Sequence, residues 1–284
     1  LSDVGLTPYT DTSYHNEELK SLTRYRFDKI QERAKLKQSV SRLVTILFPE
    51  LEKHVSTLHM TTVYALLEEF PGAKQIAEAN LTHLKTVLYQ ASKGRYGRDK
   101  AIEIRNTARR SVGLAIPAKS MELRHTIRLI RVFDSEIAEV EAEIGRIMAE
   151  IDSPITTIPG IGNRMGAMIL AEIGDISRFD SPDKLLAYSG ISPSTYQSGK
   201  LSNAYAHMEK RGSRYLRYAL FNAAKYVCHW DNSFAVYLAR KRSEGKHYYV
   251  AVSHAVKKLV RVIFALLKSG EAYDPRKLSC SLGA

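Results

Sequence analysis

The stretch AYSGISPSTYQSGK, Ala187 to Lys200, gathers four serines, two glycines and a proline at the edge of the most basic part of the chain. A serine hydroxyl is a weak nucleophile until a base, a nearby cation or a metal activates it. Ser189 directly precedes Gly190, a helix-ending glycine, and reads as a cap. Ser192 precedes Pro193 and reads as turn chemistry. Ser198 differs, because Gly199 beside it lets another backbone approach and Lys200 follows at once. Spacing makes Ser198 the candidate nucleophile of the segment but does not by itself establish the role.

The charge around these serines is strongly localised. The chain of 284 residues has a formal net charge of +12. Fourteen Lys/Arg against three acids between Ser198 and Lys268 supply +11 of it. The cations are Lys200, Lys210, Arg211, Arg214, Arg217, Lys225, Arg240, Lys241, Arg242, Lys246, Lys257, Lys258, Arg261 and Lys268. A single basic run is usually a solvated face, but this concentration points to a polyanion, with nucleic acid the expected partner. Arg214 and Arg217 fall one turn apart on one helix, and Lys257, Lys258 and Arg261 on another, which suits backbone phosphates better than base edges.

Other chemistries fit less well. No pair of carboxylates in the basic quarter is spaced for Mg²⁺, and His207, His229, His247 and His254 lack metal-ligand spacing. A tyrosine nucleophile would need Arg, His-x-x-Arg and a downstream Tyr. The nearest match, His254-x-x-Lys257 followed by Tyr273, is poor. Two cysteines, Cys228 and Cys280, make no disulfide framework and suggest a reducing cytoplasm. The longest apolar run near the C-terminus, Leu259 to Leu267, is interrupted by Arg261 and is well short of the ~20 residues of a membrane span.

The elements that must position these residues read as mainly α. Asn16–Leu47 is a long amphipathic stretch with Leu19, Leu22, Leu36, Val40, Leu43 and Leu47 in helical register, broken by Pro49. Helices are predicted over Thr61–Glu69, Ala73–Gln90 and Ala101–Ser111, with SKGRYGRDK as a basic loop. Met121–Ile151 carries a heptad pattern (Leu123, Ile127, Ile130, Ile137, Ile144, Ile151) that predicts a coiled coil within or between chains. At Ser153 and Pro154 a new unit begins. There IPGIG, with Gly160 and Gly162, followed by an apolar helix ending at Gly174, has the form of a helix–hairpin–helix whose exposed N–H groups would meet a DNA phosphate. The same glycines would equally serve two helices that pack closely. A short helix follows, capped by Ser181, with Pro182 in its first turn. Two longer helices complete the domain. One buries Leu216, Leu220, Ala223 and Val227; the other buries Val252, Val256, Leu259 and Ile263. Any sheet must be small. The expected division is a connecting region over 1–118, the long helix over 119–151, the basic domain over 152–270 and a tail over 271–284.

In order, IPGIGNRMGAMILAEIGDISRF, LLAYSGISPSTYQSGK, KRGSRYLRYAL and ARKRSEGKHYYVAVSHAVKKLVRVIFALLK resemble the C-terminal transposase domain of the DEDD insertion-sequence transposases, the IS-one-ten group. The resemblance spans about Ile151 to Gly270. It implies a serine, matched here by Ser198, that attacks a DNA phosphodiester and forms a covalent protein–DNA link. It also implies a RuvC-like nuclease domain whose three aspartates and a glutamate hold Mg²⁺, a composite site shared between subunits, a homo-oligomer joined through the coiled coil and, in some members, a guide RNA.

One departure stands out. The family's last carboxylate pair, in a Lys-Thr-Asp-x-x-Asp motif, has no counterpart, and Asp3 and Asp11 stand in unrelated context. The chain opens on Leu1, and an upstream carboxylate domain is expected to precede it. Two functions therefore compete: a transposase acting through Ser198 once it has a metal site, and a non-catalytic nucleic-acid-binding remnant. A purely structural coiled-coil role leaves the basic quarter unused.

Overall fold

The computed structural model describes residues 11–191, 197–198, 201–202, 208 and 210–276. The fold is mainly α and divides into two compact units, Phe27–Glu139 on one side and Leu1–Arg26 with Val140–Ala284 on the other. The division cuts through the two longest helices, α1 (Asp11–Leu47) and α6 (Pro117–Ile151), so each contributes to both units.

In the unit Phe27–Glu139, α1 and α6 run antiparallel. Lys29 pairs with Glu136 at 2.8 Å, Arg33 with Asp134, and Arg42 with Glu122 at 3.5 Å. Leu123, Ile127 and Ile130 of α6 share one core with Val40, Leu43, Val44 and Leu47 of α1. This part of the apolar seam, expected to be able to join a second chain, is thus buried inside this one. Four short helices, α2 (Thr61–Glu69), α3 (Ala73–Glu78), α4 (Leu81–Ala91) and α5 (Arg98–Arg109), complete that core. The single helix expected over Ala73–Gln90 is two. Ala79 ends the first and Asn80 caps the second, its side-chain oxygen accepting from the N–H groups of Thr82 (2.9 Å) and His83 (3.3 Å).

In the other unit α6 stops at Ile151, where Asp152 takes a φ of 45°. The element before the hairpin is a single 3₁₀ turn, Pro154–Thr157, so the first helix of the expected helix–hairpin–helix is vestigial. Pro154 starts this turn, Ser153 accepts from the Ile155 N–H at 3.4 Å, and the positive φ of Asp152 separates it from α6. Then follow α7 (Asn163–Ile173), ended by Gly174, and α8 (Pro182–Tyr188), capped by Ser181. A two-stranded antiparallel ribbon comes next, β1 (Gln197–Ser198) and β2 (Leu201–Ser202), with Ser198 opposite Leu201. Three further helices, α9 (Arg214–Trp230), α10 (Asn232–Ser243) and α11 (Tyr248–Ser269), end the unit. Helix α9 lies at its centre, against α7, α10 and α11. Its Leu216, Leu220, Ala223 and Val227 are buried with Val252, Val256, Leu259 and Ile263 of α11, the faces that helical period predicts. Among the described residues no helix is long and apolar enough to cross a membrane.

Candidate nucleic-acid interface

Gly190 and Lys210 flank the segment bearing Ser198, and a clasp of backbone bonds joins the two flanks. The Lys210 N–H donates to the Gly190 carbonyl at 3.2 Å, and the Ser213 N–H to the Tyr188 carbonyl at 3.3 Å. The chains cross so closely that a Cβ on Gly190 would stand 2.0 Å from the Arg211 carbonyl oxygen. A Cβ on Gly212 would stand as close, 2.0 Å, to that of Tyr188. Both glycines also have positive φ (69° and 94°), so any other residue is excluded twice.

The clasp is anchored from below. Ser213 caps α9 by accepting from the Leu216 N–H at 3.1 Å, and its hydroxyl donates to Glu172 Oε2 at 2.6 Å. Glu172, on α7, is 2% exposed and takes two further bonds from the Arg24 guanidinium, at 2.6 and 3.0 Å. Burial alone would raise the Glu172 pKa, but the bonds from Arg24 and Ser213 hold it below the usual carboxylate value. A charged carboxylate with three donors therefore ties α1, α7 and the start of α9 to the foot of the serine-bearing segment.

The serines separate by position. Ser189 is fully buried, its hydroxyl donating to the Leu186 carbonyl at 2.6 Å, and it is closed to substrate. Ser192 lies outside the described residues, as does Lys200. The backbone of Ser198 is placed, in β1 opposite Leu201. Tyr273, the weak tyrosine candidate, donates its hydroxyl to Asp231 Oδ2 at 2.8 Å. Burial and that carboxylate push its pKa up, which makes it a poor nucleophile. The Cys228 thiol is buried and pushed up to about 11. Among the described residues no group of three or more His, Cys, Asp or Glu could hold a metal ion.

The cations expected to meet phosphate do different things. Arg217 turns inward, donating from Nη1 to the Lys210 carbonyl at 3.2 Å and to that of Ser189 at 3.4 Å, so it braces the clasp. Lys210, at a φ of 56°, and Arg211 supply backbone to the same clasp. Arg214 stays exposed in the first turn of α9, over the Tyr215 ring at 4.7 Å. At the end of α10, Arg240 lies over Tyr237 at 5.2 Å and Arg242 donates to the Lys246 carbonyl at 2.8 Å. Lys241 and Lys246 both pair with Glu244, whose carboxyl they hold down at about 2. Lys257, Lys258 and Arg261 share a face of α11, and Arg261 approaches Asp183 of α8 at 3.7 Å, both exposed.

The hairpin glycines also differ. Gly160, at a φ of 90°, faces the α9 backbone: a Cβ there would meet the Tyr226 carbonyl carbon at 2.8 Å. Its place is explained by close packing. Gly162 has open space around it at the start of α7, with exposed Asn163 and Arg164 following. Arg164 pairs with Glu141 at 2.8 Å.

Exposed aromatics interleave with this charge, which composition alone had not singled out. Lys225 sits over Phe221 (5.1 Å) and Tyr249 (5.7 Å), whose rings stack at 6.1 Å, and Tyr226 and Trp230 are exposed on the same helix. The sequence signal was HYY beside a basic run, with Phe221 and Lys225 four residues apart on α9.

Residues 152–239, which include the hairpin, the clasp and Ser198, match the Transposase IS116/IS110/IS902 family. The chain is similar to the insertion element IS110 uncharacterized 43.6 kDa protein of Streptomyces coelicolor, at 32% identity over 139 residues, covering 48% of this chain and 34% of the relative. It is similar to the insertion element IS116 uncharacterized 44.8 kDa protein of Streptomyces clavuligerus, at 25% identity over 268 residues, covering 90% and 65%. It is also similar to the pilin gene-inverting protein of Moraxella bovis, at 28% identity over 174 residues, covering 59% and 53%. The chain thus spans about a third to two-thirds of the length of these curated relatives.

Proposed function

We propose that this chain is the strand-joining part of an insertion-element transposase or recombinase, acting on DNA with Ser198 as its nucleophile. The observation that carries the reading is the family match over residues 152–239, which encloses Ser198 and the backbone clasp that joins the flanks of its segment. In the proposed step Ser198 Oγ bonds to a DNA phosphorus as the ester bond to one deoxyribose oxygen breaks. The serine gives up its proton, the departing oxygen takes one, and the phosphoserine ester keeps the bond energy for a second strand to reverse the reaction. Nearby Lys and Arg would stabilise the charge on the phosphate.

The match to a transposase family and one relative's name, pilin gene-inverting protein, support DNA transposition or inversion as the class of outcome. Mg²⁺, expected on an upstream carboxylate domain, has no ligand set among the described residues, and no step here runs through it. A guide RNA, a homo-oligomer and a cytoplasmic location complete the proposal. With α6's seam buried within the chain, any second copy must use another surface.

The test is Ser198→Ala in a protein that includes the upstream domain. Covalent protein–DNA adducts and recombinants should disappear while DNA binding persists. Recombination surviving the change would sink the assignment. The second reading, a binding remnant, rests on the basic residues concentrated between Ser198 and Lys268; it predicts DNA binding but no covalent adduct on this chain.

A further inference from the structure

A cavity of about 500 Å³ opens between α10, α11 and the segment after Gly270. Its volume lies in the ~300–1,000 Å³ range of small-ligand sites. One wall is a cationic stripe of α11. His254, Lys257, Lys258 and Arg261 recur at three- and four-residue steps and all line the cavity. Tyr237 and Tyr273 supply aromatic walls, and Val262 and Leu266 an apolar lining.

Lys258 gives the cavity its direction. Its ammonium is buried without a hydrogen-bond partner among the described residues, 4.6 Å from the Phe234 ring centroid and 5.3 Å from that of Tyr237. The nearby carboxylate of Asp231 is already engaged, by the Phe234 N–H at 3.0 Å and the Tyr273 hydroxyl at 2.8 Å. Burial lowers the Lys258 pKa and Asp231 only partly offsets it. Removing a cation from water without a partner is costly, and a bound anion would supply the missing contact. Phosphate alone would use the cations and leave the aromatic and apolar walls idle. Glu271 and Asp274, also on the lining, add negative charge that would repel a second anion.

We propose that this cavity holds one unpaired nucleotide of a DNA or RNA strand, its phosphate on Lys257, Lys258 and Arg261 and its base against Tyr237 and Tyr273. Taking a base out of the stack into a pocket is how nucleic-acid proteins hold a single nucleotide apart from its neighbours. The proposal rests on the nucleic-acid reading above and adds the position and state of one nucleotide.

The experiment is calorimetric titration of the purified 284-residue chain with adenosine 5′-monophosphate, inorganic phosphate, a single-stranded oligonucleotide and a duplex. Wild-type protein should bind the mononucleotide at least tenfold tighter than phosphate, and the single strand should displace it. Lys258→Met, which keeps the side chain's length and removes its charge, should weaken mononucleotide binding at least tenfold. It should leave the melting temperature of the free protein equal or higher. Mononucleotide binding unchanged in Lys258→Met would overturn the site. So would phosphate binding as tightly as the mononucleotide, or a bound mononucleotide that single strands fail to displace. Duplex binding without any mononucleotide binding would overturn the pocket and leave the proposed function standing. Loss of all nucleic-acid binding in the wild type would overturn both.

Discussion

Arg24 of α1 grips Glu172 of α7 with two nitrogens, at 2.6 and 3.0 Å, although 148 residues separate them. The Ser213 hydroxyl completes the carboxylate's partners at 2.6 Å, so one buried anion fixes the start of α9 and hence the foot of the segment that carries Ser198.

Glu172→Gln should therefore destabilise the fold by about 2–4 kcal/mol at neutral pH, somewhat below a fully buried pair because the Arg24 side chain is 40% exposed. The folded-state pKa of Glu172 is depressed, so its contribution is present above the unfolded carboxylate value of ~4.3 and is lost as pH falls through the lower folded value. Urea denaturation from pH 7 down to pH 3 should show a steeper loss in wild type than in Glu172→Gln. Parallel curves would contradict the charged-carboxylate account.

Gly190→Ala and Gly212→Ala each place a Cβ at 2.0 Å from a carbonyl oxygen in a left-handed conformation. Strain and overpacking together should cost about 2–5 kcal/mol. Gly245→Ala is the control: its φ is also positive, at 78°, but no atom lies within 4 Å of the added Cβ, and the cost should stay near ~1 kcal/mol. Thermal unfolding should rank the three in that order, with faster proteolysis near residue 200 in the first two.

Arg214 and Arg217, one turn apart, should part company in function. Arg214→Ala should lower the slope of log affinity against log salt by about 0.9, the effect of one lost phosphate contact on duplex DNA. Arg217→Ala should chiefly lower the melting temperature, since its guanidinium holds the carbonyls of Ser189 and Lys210. An unchanged salt slope in Arg214→Ala would remove that side chain from the interface.

Much of the helical scaffold is legible in local pattern. The ends of α2, the Ser181 cap of α8 and the stop at Gly174 follow from propensity, capping and apolar period, which act over one or two turns. The split at Asn80 was missed because the apolar run continues through it and only the cap geometry shows the break. The basic quarter was equally visible, since charge is a property of composition.

Which basic side chain faces outward was not legible. Arg214 and Arg217 are alike in sequence, and only the return of the chain at Lys210 puts carbonyls within reach of one of them. Heptads in α6 announced an apolar partner; folding supplied α1 of the same chain over Leu123, Ile127 and Ile130. Residue type and spacing determined the helices and the charge, because those depend on neighbours along the chain. Tertiary structure alone decided the clasp at Gly190 and Gly212, the buried carboxylate beneath it and the desolvated Lys258, because each depends on atoms that come together only when distant segments pack.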